Sequence, residues 1–221
     1  MHKSSIFSLI ALLILISCQS APFSGLFSSN TTPVTAAQNI LFEDDFSNVN
    51  SGWDRQRTSD GITDYENDQY LIEVDRPNID FIANPSKNFS DVRLEVEAYR
   101  ESGDVDNEYG VICRYQGKND FYAGLISSDG YYGVFKVKGG EYSLLGMETM
   151  AKSPAIKTDS EKNLIRLDCK GQNLTLYVNG VQLDSRQDAD FQVGDVGLLA
   201  GTYANPGLKI LFDNFVVTQP F

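Results

Sequence analysis

The chain has 221 residues, a formal net charge of −12 at pH 7 and one histidine, His2. So acidic a chain is a poor partner for nucleic acid or for anionic lipid headgroups, because both attract clustered Lys and Arg. If His2 leaves with an export signal, the remaining chain cannot run a Ser-His-Asp or Cys-His mechanism, or bind zinc through histidine.

The first 17 residues have the pattern of an export signal. Lys3 precedes an apolar run, and the small residue Ser17 stands before Cys18. This order is typical of a cleaved signal peptide, and the run is shorter than the roughly 20 residues that a spanning helix needs. Residues 15–18, Leu-Ile-Ser-Cys, resemble the lipobox of bacterial lipoproteins. The resemblance implies cleavage before Cys18 and acylation of Cys18, which would anchor the protein to the membrane outside the cytoplasm; an ordinary secretory signal is the alternative.

The segment after the signal is expected to be a flexible tether. No charged residue occurs from Gln19 to Phe42, and Ser, Thr, Asn, Ala and Pro dominate. Such a composition cannot bury enough apolar surface to fold. We therefore expect a disordered tether over 18–39, followed over 40–221 by one domain, which that length suits.

Apolar and polar residues alternate with a period of two over much of the domain. The stretches VRLEVEA (92–98), LIRLDCK (164–170) and LTLYV (174–178) each place apolar side chains on one face. This pattern is typical of half-buried strands. The pair Asn179-Gly180 follows the third stretch and favours a type I′ hairpin. With many short strands and no long helical period, the sequence predicts an all-β antiparallel sandwich or jelly roll.

A set of segments, taken in chain order, resembles the concanavalin A-like lectin/glucanase superfamily, with its laminin G-like and 3-keto-disaccharide hydrolase-related domains. The segments are FEDDFS, SGW, YENDQYLIEV, EYGVICRYQ, DFYAGLISSDGYYGVFKV, LYVNG, GDVGLLAGTY and FDNFVV. The resemblance covers about residues 40–218 and implies a jelly roll of two curved sheets with a concave groove. It also implies that the first and last strands pair, which would place LFEDDF (41–46) beside KILFDNFVV (209–217).

The superfamily's glucanases carry clustered carboxylates on one concave strand, and the nearest analogues here are Glu95 and Glu97. Their side chains share a strand face about 7 Å apart, between the spacings of retaining and inverting glycosidases. The stretch lacks the third acid and the flanking aromatic of that pattern. We therefore expect no catalysis, with Glu95 and Glu97 as the candidates if there is any.

Strand phase predicts a different kind of site, a binding face. It directs six side chains outward, and these are the candidate ligand-binding residues: Glu97, Tyr99, Arg114, Tyr122, Tyr132 and Lys136. It directs Phe121, Ala123, Leu125, Tyr131, Phe135 and Val137 inward. Tyr rings beside charged groups suit a sugar, whose apolar face stacks while its hydroxyls form hydrogen bonds. An ordinary exposed sheet face is the alternative, since Tyr is favoured in strands.

Together these features predict a membrane-anchored, non-catalytic binding module that recognises carbohydrate on its concave face. Two alternatives remain open at this point. One is a glycan-processing hydrolase that uses the concave-face carboxylates. The other is a protein–protein module of an envelope complex, since the sequence has no sharp site motif.

Two further features concern metals and cross-links. No cofactor is expected, except that the resemblance implies a structural Ca²⁺ near the chain ends, with Asp44, Asp45 and Asp213 as candidate ligands. Edge-strand charge is the alternative role for these acids. Cys113 and Cys169 are either a disulfide, as an oxidising compartment permits, or two buried thiols.

Overall fold

The computed structural model describes residues 39–220, which are all-β. This part of the chain contains no helix, and hence none that could cross a membrane. The predicted signal peptide, Cys18 and the tether lie outside the described residues, apart from residue 39. The strands are β1 (Ile40–Asp44), β2 (Gln56–Arg57), β3 (Gly61–Glu66), β4 (Gln69–Val74), β5 (Ile79–Ala83), β6 (Val92–Ser102), β7 (Asn107–Gly117), β8 (Asp120–Ile126), β9 (Tyr131–Lys138), β10 (Glu141–Leu144), β11 (Ala151–Lys152), β12 (Asn163–Lys170), β13 (Asn173–Val178), β14 (Val181–Gln187), β15 (Asp195–Thr202) and β16 (Leu208–Thr218).

These strands form two antiparallel sheets that pack face to face. The nine-stranded sheet has the order β14-β13-β12-β6-β16-β4-β3-β2, with β1 also paired to β16. The seven-stranded sheet has the order β10-β9-β8-β7-β15-β5, with β11 paired to β9. The jelly-roll prediction is confirmed. The first and last strands pair as expected: the second half of β16 pairs with β1, and its first half pairs with β4.

The core between the sheets follows the alternation of the sequence where one strand face is polar. In β6 the side chains of Val92, Leu94 and Val96 are fully buried, and the charged residues between them face outward. Cys113 of β7 and Cys169 of β12 form a disulfide that joins the two sheets. A disulfide between the two sheets requires both cysteines to point into the core. It therefore determines which face of β7 and which face of β12 is turned inward at these positions.

The turn prediction at Asn179-Gly180 is also confirmed. Both residues have positive φ, 51° and 81°, and they join Val178 to Val181 across the β13–β14 hairpin. A second hairpin of the same kind, unpredicted, joins β3 to β4 through Asn67 and Asp68 at φ 51° and 59°. Asn and Asp tolerate this left-handed backbone better than other residues with a side chain.

The phase predicted for β8 and β9 is wrong. Tyr122 lies in the core between the sheets, whereas Phe121, Ala123 and Leu125 belong to a separate buried cluster on the outer face of the seven-stranded sheet. Val137 is in that outer cluster too. Both faces of these strands are apolar and covered, so polarity does not mark the outer face, and a one-residue error inverts every side chain.

Trp53 closes the end of the sandwich where β1 pairs with β16. It is buried against the rings of Phe46, Tyr70 and Phe215, with centroid distances of 5.0–5.4 Å. Its indole Nε1 donates a hydrogen bond to Asp44 Oδ2 at 2.9 Å, and the backbone N–H of Phe46 donates to Oδ1 at 2.8 Å. Asp44 is therefore a buried carboxylate that satisfies the only polar atom of the tryptophan side chain.

We predict that Trp53→Phe destabilises the fold by about 2–3 kcal/mol, because it leaves one oxygen of a buried carboxylate without a donor. Urea unfolding of the full chain measures the effect. In a double-mutant cycle with Asp44→Ala, the second substitution should cost much less when Trp53 is already Phe. Additive losses would show that the indole N–H contributes nothing through Asp44.

Candidate functional site

The candidate binding residues do not form one surface. Tyr99 and Glu97, together with Glu95, lie on the outer face of the nine-stranded sheet, as the alternation predicts. The other four candidates belong to the seven-stranded sheet. The predicted composite site is therefore wrong, because two sheets that pack face to face direct their outer faces away from each other.

The candidate catalytic acids lie beside cations on that outer face. Lys162 Nζ lies 2.8 Å from Glu97 Oε2, and Asn214 Nδ2 also donates to it. The hydrogen bond from Lys162 lowers the pKa of Glu97. Glu95 lies opposite Arg166 in the neighbouring strand β12. A carboxylate with a lowered pKa is poorly suited to act as a general acid near neutral pH.

Arg114 was predicted to point outward, but a β-bulge turns its side chain inward. Its φ is 53°, and the pairing of β7 with β8 shifts register after Cys113. The side chain is 1% exposed and donates hydrogen bonds to the carbonyl of Phe191 at 2.8 Å and to Asp91 Oδ1 at 3.3 Å. Arg114 therefore fastens loops to β7 rather than facing a ligand, since a bulge re-aims the side chain it carries.

Tyr122, Tyr132 and Lys136 also face inward, in contrast to the prediction. Tyr122 is fully buried, and Tyr132 packs against the same core. The Tyr122 hydroxyl and Lys136 Nζ each lie 2.5 Å from an oxygen of Asp188. These contacts fasten β8 and β9 to the segment that follows β14. Their role is structural, and it leaves neither Tyr122 nor Lys136 free to contact a sugar.

The candidate calcium ligands are also dispersed. Asp44 is committed to Trp53 and Phe46, Asp45 accepts two hydrogen bonds from Ser47, and Asp213 lies near Lys162 at 3.9 Å. Within residues 39–220 no group of three or more His, Cys, Asp or Glu side chains is placed to hold a metal. The calcium site stays a prediction, and an unchanged melting temperature on adding a chelator would count against it.

The outer face of the seven-stranded sheet is concave. Tyr142 of β10 and Asp80 of β5 belong to the two opposite edge strands, which five interstrand steps of about 4.8 Å would place roughly 24 Å apart in a flat sheet. The Tyr142 hydroxyl nevertheless donates to Asp80 Oδ2 at 2.6 Å. The sheet must therefore curl, and Tyr142 crosses the middle of the concave face, where its ring packs on Phe121.

A buried carboxyl group, Glu108, and a half-buried one, Asp80, meet at one end of this concave face, and we call them the acid pair. A Cβ at Gly201, between them on β15, would overlap the Asp80 carboxylate and approach Glu108. Glu108 is hydrogen-bonded to Asp80, and Tyr203 donates to its Oε2 at 3.0 Å. Burial, and secondarily the charge of Asp80, raises the pKa of Glu108 to about 8. At neutral pH the acid pair therefore holds a proton.

A cavity of about 460 Å³ adjoins the acid pair, and we call it the end cavity. Its lining combines aromatic rings with carboxylates, an amide and hydroxyls: Asp106, Asn107, Ser127, Asp129, Tyr131, Thr149, Met150 and Tyr203. Tyr131 is partly exposed, and Lys152 Nζ lies 5.2 Å from the centre of its ring. Tyr203 belongs both to the cavity wall and to the acid pair's hydrogen bonds. Rings beside polar groups of this kind can stack on a sugar and bond its hydroxyls.

The sequence contained a signal for the acid pair that the prediction did not use. Tyr109 and Val111 are inward by alternation, which places Glu108 on the outer face of β7. Asp80 is likewise the one charged residue of β5, in the stretch IDFIA. A lone acid on an otherwise apolar strand is costly to bury and marks a position with a specific partner. That the two acids meet depends on strand order, which no local pattern gives.

A second cavity, of about 500 Å³, lies where the terminal strands pair. Residues of β1, β16 and the loop after β1 line it: Glu43, Asp44, Asp45, Asn48, Ser51, Asn214, Phe215 and Val216. Its lining includes no Tyr or Trp ring, and the carboxylates of Asp44 and Asp45 accept hydrogen bonds from neighbouring residues. The end cavity is therefore the better candidate for a ligand.

No protein-family model and no curated protein matches the chain, but solved structures do. The carbohydrate binding module CBM66 from Bacillus subtilis is 17% identical, with a TM-score of 0.62 over 76% of this chain and 96% of that one. A Bacillus subtilis protein of unknown function with a galectin-like fold is 12% identical, with a TM-score of 0.60 over 82% and 96%. The catalytic domain of an endo-1,3-β-glucanase (laminarinase) from Thermotoga petrophila is 8% identical, with a TM-score of 0.58 over 82% and 98%. At these identities the likeness is one of fold.

Proposed function

We propose that the domain is a non-catalytic module that binds a glycan in the end cavity. The observation that carries the proposal is the composition of that cavity, with Tyr131 and Tyr203 beside Asp106, Asn107 and Asp129. A sugar needs an apolar surface for its ring face and polar groups for its hydroxyls, and the cavity offers both. A carbohydrate binding module has a similar fold, which supports the proposal.

The sequence motif at the N-terminus supports a second part of the proposal. Acylation of Cys18 would anchor the domain to a membrane outside the cytoplasm, through a tether over residues 18–39. The disulfide between Cys113 and Cys169 suits an oxidising compartment. A Cys18→Ser variant should appear in the soluble fraction of the producing cells. Membrane attachment of that variant equal to the wild type would contradict the lipid anchor.

We predict that Tyr131→Ala weakens glycan binding by about tenfold, because it removes the exposed ring of the cavity, a contact that stacking makes worth about 1–2 kcal/mol. The probes are three neutral oligosaccharides: laminarihexaose, an inulin-type fructo-oligosaccharide and the hexamer of N-acetylglucosamine. Isothermal titration at pH 6 measures binding to the full chain.

The matched control is Tyr99→Ala, which removes a partly exposed tyrosine from the outer face of the other sheet. It should leave affinity for the same oligosaccharides unchanged. If Tyr99→Ala weakens binding and Tyr131→Ala does not, the ligand lies on the nine-stranded sheet. If none of the three oligosaccharides binds the wild type, the proposal that the end cavity binds a glycan is wrong.

One observation favours glycoside hydrolysis as a second candidate function. A buried carboxyl with a raised pKa beside a second acid is an arrangement that glycosidases use for general acid catalysis. In Asp80 and Glu108, however, the carboxyls are hydrogen-bonded to each other, which is closer than the roughly 5 Å that a retaining mechanism requires. Release of reducing sugar by the wild type, but not by Glu108→Gln, would favour the enzyme over the binding module.

A further inference from the structure

We infer that Glu108 is a positioning residue that makes binding in the end cavity depend on the proton held by the acid pair. This inference rests on the proposed function. Glu108 is 8% exposed and in hydrogen-bonding contact with Asp80. Two carboxyl groups in contact, one of them buried, cannot both be ionised without strong repulsion, so the pair retains one proton between them.

The side chain of Tyr203 connects the acid pair to the cavity. Its hydroxyl donates to Glu108 Oε2 at 3.0 Å, while the residue lines the end cavity together with Met150, whose Sδ is 3.9 Å from the same hydroxyl. Asn107, the residue before Glu108, lines the cavity as well. A displacement of the Glu108 carboxyl therefore displaces the cavity wall.

The groups that face Glu108 are acids and phenols, and the hydrogen bond from Tyr203 only partly offsets burial and the charge of Asp80, which raise the pKa of Glu108. Asp80 approaches from β5, Tyr203 follows β15, and Tyr142 of β10 donates to Asp80. Asp106, just before β7, also acts on Tyr203. All four are acids or phenols. When the pair loses its proton, repulsion between Asp80 and Glu108 separates the carboxyls, and Tyr203 moves with its acceptor.

Affinity for a neutral oligosaccharide should therefore fall as the pH rises. Burial and the charge of Asp80 raise the pKa of Glu108 to about 8, which places the change between about pH 6 and pH 9. We expect the dissociation constant of the full chain for laminarihexaose, the fructo-oligosaccharide or the N-acetylglucosamine hexamer to rise by about tenfold over that range. These sugars do not titrate there, so the protein alone sets the dependence.

The variants test the assignment to Glu108. Glu108→Gln should bind the oligosaccharide with the same affinity at pH 6 and at pH 9, whatever that affinity is. If this variant does not fold, Asp80→Asn takes its place, with the same expected result. Glu97→Gln, on the other sheet, should keep the full pH dependence of the wild type. A wild-type affinity that is equal at both pH values, or a dependence that survives in Glu108→Gln, would overturn the inference while leaving the glycan site intact.

A readout without ligand separates this inference from the proposed function. The ring carbon resonances of Tyr203, assigned through Tyr203→Phe, should shift with pH in the wild type and not in Glu108→Gln. If no probe binds at any pH but these resonances titrate, the proposed function fails and the coupling of Tyr203 to the acid pair stands. If sugars bind and Tyr203 does not respond to pH, the coupling is wrong.

Discussion

Replacing both cysteines of the disulfide by alanine should cost about 4 kcal/mol of stability. The bond closes a loop of 56 residues, and the entropy that it removes from the unfolded chain scales with the logarithm of that length. For a domain of this size the loss corresponds to a fall in melting temperature of roughly 10 °C. Urea unfolding of Cys113→Ala/Cys169→Ala against the wild type, both as full chains, measures the difference.

Two controls separate the cross-link from the packing of the sulfur atoms, since both cysteines are fully buried. The single variant Cys113→Ala breaks the same bond, so the double variant should be only slightly less stable than the single one. The wild type in reductant should lose most of the same free energy while it keeps both sulfurs. Undiminished stability in reductant, with the bond shown to be open, would contradict a stabilising role for the cross-link.

The fold could be predicted because several strands separate polar from apolar faces. In β6 and β12, charged residues alternate with Val, Leu, Ile and Cys, so the sequence of each strand indicates which of its faces is buried. Both strands lie in the nine-stranded sheet, whose outer face carries ion pairs such as Arg93 with Asp168. The Asn-Gly turn between β13 and β14 adds a local signal that does not depend on tertiary contacts.

The candidate site could not be predicted in the same way, because the seven-stranded sheet is covered on both faces. β8 is almost wholly buried, with Tyr122 toward the core and Phe121 beneath Tyr142 on the concave face. In such a strand the residues do not alternate between apolar and polar, so the sequence does not indicate which face is turned toward the core. The bulge at Arg114 is a second obstacle, since positive φ at an arginine has no sequence signature.

What brings the candidate site together is sheet order rather than strand phase. Asp80, Glu108 and Tyr203 come from β5, β7 and the end of β15, which are adjacent in the seven-stranded sheet although far apart in the chain. Curling of the sheet then brings Tyr142 from the opposite edge to the same place. The sequence predicts the individual strands, but antiparallel order and curvature depend on contacts between distant segments.

The acid pair leads to an unusual expectation for stability, that Glu108→Gln makes the protein more stable at neutral pH. Glu108 has a pKa of about 8 in the folded state and an ordinary value of 4.5 when unfolded. Between these values the folded state binds more protons than the unfolded state, so the stability of the wild type falls as the pH rises through that window. The loss reaches at most about 3 kcal/mol at pH 7.

Glutamine has the shape of the protonated carboxyl and does not titrate. Its amide can donate to Asp80, and its oxygen can accept from Tyr203, as Glu108 does in the structure. The unfolding free energy of Glu108→Gln should therefore equal or fall slightly below that of the wild type near pH 4.5. It should exceed it by about 2–3 kcal/mol at pH 7.5. Urea unfolding at a series of pH values measures the difference.

Glu97→Gln is the matched control, because the same substitution removes an acid whose pKa is lowered by Lys162. The sign is then reversed: the folded state favours the ionised form, so the variant should lose a little stability above about pH 5 and none well below it. Glu97 is partly exposed, and solvent screening keeps the loss below about 1 kcal/mol. If Glu108→Gln behaved like Glu97→Gln, Glu108 would be ionised in the folded state rather than the buried, proton-bearing member of the acid pair.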